Sequence, residues 1–145
     1  VPVIELDDGR ALARSNAIIR YLARGSSLIP ADPYRGAKMD EWLFWEQYSH
    51  EPYIAVCRFH MLYQGKSKEQ REAWRVERGE KALAFMEAEL PGREFLVGDA
   101  LSVADIALVA YTRVAGEGGF DLTAYPNVRA WIGRCETGLG LSPAS

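Results

Sequence analysis

The sequence predicts a mainly helical protein: a short β-β-α unit, a linker, and then an all-helical bundle. Three observations carry this prediction. The chain opens with an apolar run, Val1-Pro2-Val3-Ile4-Glu5-Leu6, closed by Asp8-Gly9. Gly25 to Pro33 is rich in turn-forming residues. Beyond it, apolar residues recur three and four apart almost to the end, the spacing of helix faces.

Taken in order, residues 1–6 read as a strand, and Asp-Gly is a strong hairpin signal. Ala11-Leu12-Ala13 supplies a short return strand. Ser15 and Asn16 then open a helix, since both side chains are able to cap free backbone N–H groups. Gly25 ends that helix, because glycine accepts the left-handed conformation there. This divides the chain into 1–25, a linker over 26–34, and a helical region over 35–145.

The first long helix is expected over 35–63. Met39, Trp42, Leu43, Phe44 and Trp45 are apolar on more than one of its faces, which suits burial on several sides or a partner. Pro52 lies inside it and predicts a kink or break near Ser49. A second long helix is expected from about Lys68 to Leu90, with Ser67 as its N-cap and Pro91-Gly92 as its stop. Ser102-Val103-Ala104-Asp105 is a capping box, and Leu101 and Ile106 form its staple. An apolar stripe, Val103, Ile106, Ala107, Ala110 and Val114, should follow, ending at Gly116-Glu117-Gly118-Gly119. The last helix starts at Tyr125-Pro126-Asn127 and ends near Gly138 and Gly140, with proline in its first turn.

Composition narrows the function classes. Seventeen Lys and Arg against twenty Asp and Glu give a net charge of −3, which argues against a nucleic-acid binder. No apolar run is long enough to span a membrane. Cys57 and Cys135 form no CxxC pair, and without a signal pattern they read as buried thiols of a cytoplasmic protein. His50 and His60 lack metal-ligand spacing, so no metal is expected. His50 and Glu51 are neighbours on a helix and point apart; both read as surface or kink residues.

The first thirty residues pose a physical problem. A lone hairpin is marginal in water, and Val1, Val3 and Ile4 put apolar groups on both faces of the first strand, as in an interior strand of a larger sheet. The chain also begins at Val1 and not at a methionine. Together these features predict that sequence before Val1 is missing.

Four segments now carry a resemblance: Val1-Pro2-Val3-Ile4; Arg14-Ser15-Asn16-Ala17-Ile18; Leu101-Ser102-Val103-Ala104-Asp105-Ile106; and Tyr125-Pro126-Asn127-Val128-Arg129-Ala130-Trp131. Their order and spacing resemble the cytosolic glutathione transferases, especially bacterial members. The fold this implies is the family's C-terminal helical bundle preceded by a β-β-α remnant of a thioredoxin-like domain.

The resemblance implies a glutathione site. The residue at Pro2 is a cis proline in the family, and the backbone of the residue before it, here Val1, pairs with the cysteinyl part of the tripeptide. Ser15 matches the serine that binds the γ-glutamyl carboxylate; independently, a helix N-terminus suits an anion. Arg14 stands where the family pattern is acidic and contacts the amino group. No residue of this chain matches the family's thiol-activating group, so no catalytic residue is assigned.

Tyr48, Tyr53, Arg58 and Tyr111 are the candidates for the pocket of the electrophile, against the plainer reading of aromatic core packing. Family members dimerise through the first two long helices of this region, so a homodimer is expected. The function implied is conjugation of glutathione to small apolar electrophiles, with this chain a truncated form inactive alone. The alternative is a non-catalytic helical module for dimerisation or ligand binding.

Overall fold

The computed structural model describes residues 2–144. Strands β1 (Val3–Glu5) and β2 (Ala11–Ala13) form an antiparallel hairpin in which Val3 pairs with Ala13 and Glu5 with Ala11. Its turn closes through Gly9, whose φ of 81° suits a residue without a Cβ. Helix α1 (Ser15–Leu22) follows. Its single buried residue is Ile18, while Val3 of the hairpin is 60% exposed. The hairpin therefore has little cover among the described residues.

Helix α2 (Pro33–Trp45) is capped by Asp32, whose carboxylate accepts from the Arg35 N–H at 3.0 Å. The break predicted near Ser49 takes a specific form. Glu46–His50 is a π turn, and helix α3 (Glu51–Leu62) continues from it. Pro52 falls in the first turn of α3, the part of a helix that best tolerates a missing N–H. The extra residue of the π turn absorbs the ring's clash with the preceding turn.

Two expectations of helix length are corrected. Ser67 opens only a 3-10 turn, Lys68–Gln70, because its N–H donates to the Gln70 side chain at 2.8 Å. Arg71 and Glu72 are extended, and helix α4 (Ala73–Glu89) starts after them. Helix α5 (Val103–Thr112) ends before the glycines, and Ala115–Gly118 forms a separate 3-10 turn. That turn presses on α3 so closely that a Cβ at Gly118 would lie 2.9 Å from the Arg58 backbone nitrogen. Helix α6 (Pro126–Leu139) closes the chain at Gly140, which is left-handed.

Helix α5 is the centre of the molecule. It touches α1, α2, α3 and α6. The main core gathers Met39 and Trp42 from α2, Met86 from α4, Leu108 from α5 and Trp131 from α6. A smaller core joins Ile54, Cys57, Leu83 and Phe120. Both cysteines are buried and unpaired.

Asp105 ties the main core together. It is fully buried. Its carboxylate accepts from the Ser102 N–H at 2.9 Å, the Leu96 N–H at 2.9 Å and the Trp131 indole N–H at 2.8 Å. The Ser102 hydroxyl donates to it at 3.2 Å. The capping box read in the sequence is thus one part of a hub that fixes the 95–102 loop, α5 and α6 to one another.

Candidate functional site

The hairpin delivers the chain to α1 through one strained residue. Arg14 has φ 77° and ψ 122°, the one positive φ of a non-glycine residue among those described. Such a conformation costs of order 1–3 kcal/mol and persists only where its surroundings enforce it. Here the Arg14 N–H donates to the Pro2 carbonyl at 3.2 Å, and its carbonyl accepts from the Ile18 N–H at 2.9 Å.

Ser15 becomes the first helical residue and is exposed. The expectation that Ser15 and Asn16 cap α1 is therefore corrected: Arg14 occupies the cap position, and no side chain caps the helix. The first-turn amides of α1 are left for solvent or a ligand, and no acidic residue lies in that turn.

Asn16 does something else. Its amide donates to the Leu43 carbonyl at 3.2 Å and to the Glu46 carboxylate at 2.9 Å. It thereby clamps α1 to the end of α2 and the start of the π turn. Gln47 donates to the same carboxylate oxygen at 2.7 Å. Burial raises the Glu46 pKa, and these two donors oppose the rise.

A cleft of about 540 Å³ opens between these elements. Pro2, Arg14, Ser15 and Asn16 form one wall. Glu46, Gln47 and Glu51 form a second, and Ile106, Ala107 and Tyr111 of α5 supply an apolar floor. Part of the stripe predicted for α5 therefore faces the cleft, while Leu108, Val109 and Thr112 face the core.

The π turn decides which residues reach this cleft. In an α-helix of 3.6 residues per turn, residues five apart sit about 140° away from one another. In a π turn they stack, because the hydrogen bond runs between residues five apart. The Glu51 N–H donates to the Glu46 carbonyl, which is that bond. Glu46 and Glu51 thus share the cleft face, and the charge on Glu51 contributes to raising the Glu46 pKa.

Behind the π turn lies His50, and here the surface reading is corrected. His50 is fully buried, with its Nε2 2.9 Å from the Thr112 hydroxyl. That hydroxyl donates to the Leu108 carbonyl at 2.6 Å, so it is free to accept from an Nε2–H. Nδ1 has no hydrogen-bond partner among the described residues. Burial holds the His50 pKa down at about 3, so the ring is neutral.

The structure places Pro2, Arg14, Ser15 and Tyr111 around one cleft. Val1 lies outside the described residues, and so does its bond to Pro2. Tyr48 and Tyr53 are elsewhere: with Trp45 and Phe85 they line a groove between α3 and α4, beside Arg78 and Lys81. Arg58 is paired with Glu117 at the 3-10 turn. Sequence reasoning missed Asn16, Glu46, Gln47 and Glu51 as cleft residues. Pro52 was the available signal, because a proline inside a helix disrupts the hydrogen-bond ladder of the turn before it. Among the described residues, no group of three or more metal-ligating side chains is gathered, and no helix is long and apolar enough to cross a membrane.

Residues 43–137 match the glutathione S-transferase C-terminal domain. The chain belongs to the glutathione S-transferase family. It is similar to glutathione S-transferase D7 of Drosophila melanogaster, 29% identical over 132 residues, which cover 88% of this chain and 58% of that protein. The chain thus spans under two thirds of this curated relative's length.

Its fold is shared with a glutathione S-transferase from Pseudomonas fluorescens Pf-5, at 51% identity and a TM-score of 0.89, covering 94% of this chain and 69% of that one. A glutathione S-transferase from Xanthobacter autotrophicus Py2 matches at 44% identity and a TM-score of 0.89, covering 100% and 70%. The mainly helical bundle behind a two-stranded β unit, expected from the four sequence segments, is the fold found.

Proposed function

We propose that this chain supplies the helical domain and part of the tripeptide site of a cytoplasmic glutathione transferase, one that joins the glutathione thiolate to small apolar electrophiles. The observation that carries the reading is the single cleft. It sets the uncapped start of α1 at Ser15 against an apolar floor of Ile106, Ala107 and Tyr111. An anionic carboxylate suits the first, through free N–H groups and the helix dipole. An apolar electrophile suits the second.

In this reading Ser15 and the amides beside it hold the γ-glutamyl carboxylate, and the backbone around Val1 and Pro2 pairs with the cysteinyl part. Tyr111 borders the electrophile. Tyr48 and Tyr53 are reassigned to a partner face. With Phe44 at 78% and Tyr48 at 82% exposure, the α2–α4 surface carries apolar area that a second copy would cover. The proposed assembly is a homodimer through that surface. Arg58 is held by Glu117 and is given a structural role.

No group of this chain is assigned to activate the thiol. The two cysteines are buried, and burial raises both of their pKa values, which disfavours a thiolate nucleophile. The test combines two measurements on the 145-residue chain. Conjugation of glutathione to a chloronitroarene, followed by adduct absorbance, should give no turnover above the uncatalysed rate. Titration of the ¹⁵N-labelled chain with S-hexylglutathione should shift the amides of Ser15, Asn16, Gln47 and Tyr111. Robust turnover would overturn the absence of an activating group. Shifts confined to the Tyr48–Phe85 groove would overturn the placement of the site.

One observation favours a second reading, a non-catalytic binding module. Arg14 lines the cleft where the family pattern is acidic. A guanidinium accepts no hydrogen bond and repels an ammonium. This reading predicts apolar ligands held in the cleft without any preference for the tripeptide.

A further inference from the structure

The cleft contains two carboxylates in very different states. Glu46 is only 3% exposed, and its carboxylate accepts from Asn16 and Gln47. Glu51 is half-buried on the same wall, stacked on Glu46 by the π turn, and accepts from no donor among the described residues. Burial raises its pKa, and the neighbouring Glu46 is a like charge. A half-buried carboxylate with free lone pairs beside a second carboxylate is an electrostatic demand for a cation. Among the described residues the one cationic side chain lining the cleft is Arg14, and it forms no described ion pair with either glutamate.

We infer that Glu51 is a specificity-determining residue of the cleft, accepting a hydrogen bond from an ammonium group of the bound ligand. The cleft offers a ligand two kinds of charge partner, the α1 start and Arg14 for an anion and Glu51 for an ammonium, with Ile106 and Tyr111 beneath an apolar body. Glu46 keeps its two donors and adds negative potential without needing to touch the ligand. The inference rests on the cleft being the ligand site, as proposed above, and not on the ligand being glutathione.

An ammonium in this cleft has two sources, the α-amino group of the tripeptide or an amine on the second ligand. Two pairs of probes separate them, each read by amide shifts of the ¹⁵N-labelled chain and of its Glu51→Gln variant. The first pair is benzylamine and benzyl alcohol. The second is glutathione and its glutaryl analogue, which lacks only the amino group. Glu51→Gln keeps the shape and removes the charge, and its melting temperature, matched to the parent, controls for folding.

A charge-assisted bond of this kind is expected to favour the amine in at least one pair by about tenfold, the preference vanishing in Glu51→Gln. Preference in the first pair assigns the amine to the second ligand, and in the second pair to the tripeptide. Equal affinities within both pairs, or a preference that survives Glu51→Gln, would overturn the inference. Benzylamine selected through Glu51 while glutathione fails to bind would sustain this inference and defeat the glutathione reading. Glutathione bound in the cleft with no dependence on Glu51 would do the reverse.

Discussion

Asp105 and Glu51 are both acids in the first turn of a helix, and both have pKa values raised by burial. Their surroundings differ completely. Asp105 receives donors from Leu96, Ser102 and Trp131, three separate parts of the chain. Glu51 receives none among the described residues and opens on a cleft. A buried charge surrounded by donors holds a fold together, whereas one left without donors is free to meet a ligand. The difference separates the part of this molecule that is structure from the part that is site.

The largest expected effect lies on the structural side. Asp105→Ala strands the Leu96 and Ser102 N–H groups and the Trp131 indole in the core. Denaturant unfolding should show a loss of about 3–5 kcal/mol, the scale for breaking one side of a buried charged network. A loss below about 1 kcal/mol, the value of a helix cap alone, would mean the hub adds nothing beyond capping.

Next comes His50, buried and neutral like the rest of the core yet packed behind the cleft wall. Its folded pKa of about 3 lies below the ordinary 6.5. The unfolded chain therefore binds the proton first as pH falls. The stability this residue contributes is complete above pH 6.5 and is lost on acidification towards pH 3. By pH 5 the total loss reaches about 2 kcal/mol, as the slope below pH 6.5 approaches roughly 1.4 kcal/mol per unit. The raised carboxylates Glu46, Glu51 and Asp105 act with the opposite sign, because the fold takes up their protons before the unfolded chain does. The parent should thus lose more stability over this window than His50→Gln, which lacks the imidazole. Parallel pH profiles would contradict the assignment.

Asn16→Ala tests the joint between the two regions. It removes the bonds from α1 to the Leu43 carbonyl of α2 and to Glu46 of the π turn, and leaves Glu46 with Gln47 alone. A loss of about 1–2 kcal/mol is expected in denaturant unfolding, together with faster amide hydrogen exchange in α1 than in α5. Unchanged exchange in α1 would show that its packing on α5 suffices. The smallest effect belongs to Glu51→Gln, which removes an unsatisfied charge beside a like charge. Thermal unfolding should give a stability equal to the parent's or higher by less than about 1 kcal/mol. A clear loss would reveal a structural partner for Glu51.

The sequence made the framework legible and left half of the site hidden. Ser102 and Asp105 announced the start of α5 because a capping box is local, spanning four residues. It did not announce Trp131 and Leu96 as partners of the same carboxylate, since those contacts are made only when distant segments pack. Pro52 told of a break near Ser49. It did not tell that the break would be a π turn, and the π turn is what brings Glu46 and Glu51 to one face. Read with an α-helical period, Glu51 points about 140° away from Glu46 and so away from the cleft, and the π turn reverses that. His50 was misplaced because a histidine without ligand spacing looks like surface until Thr112 is packed against it.

The most direct test is the titration of the Glu51 side-chain carboxyl by ¹³C NMR, in the free chain and with saturating benzylamine. A pKa raised above the usual carboxylate range in the free chain, and brought down when the amine binds, is the predicted result. A pKa that starts within the usual range and stays there with the amine present would contradict the distinction between the two acids on which the site rests.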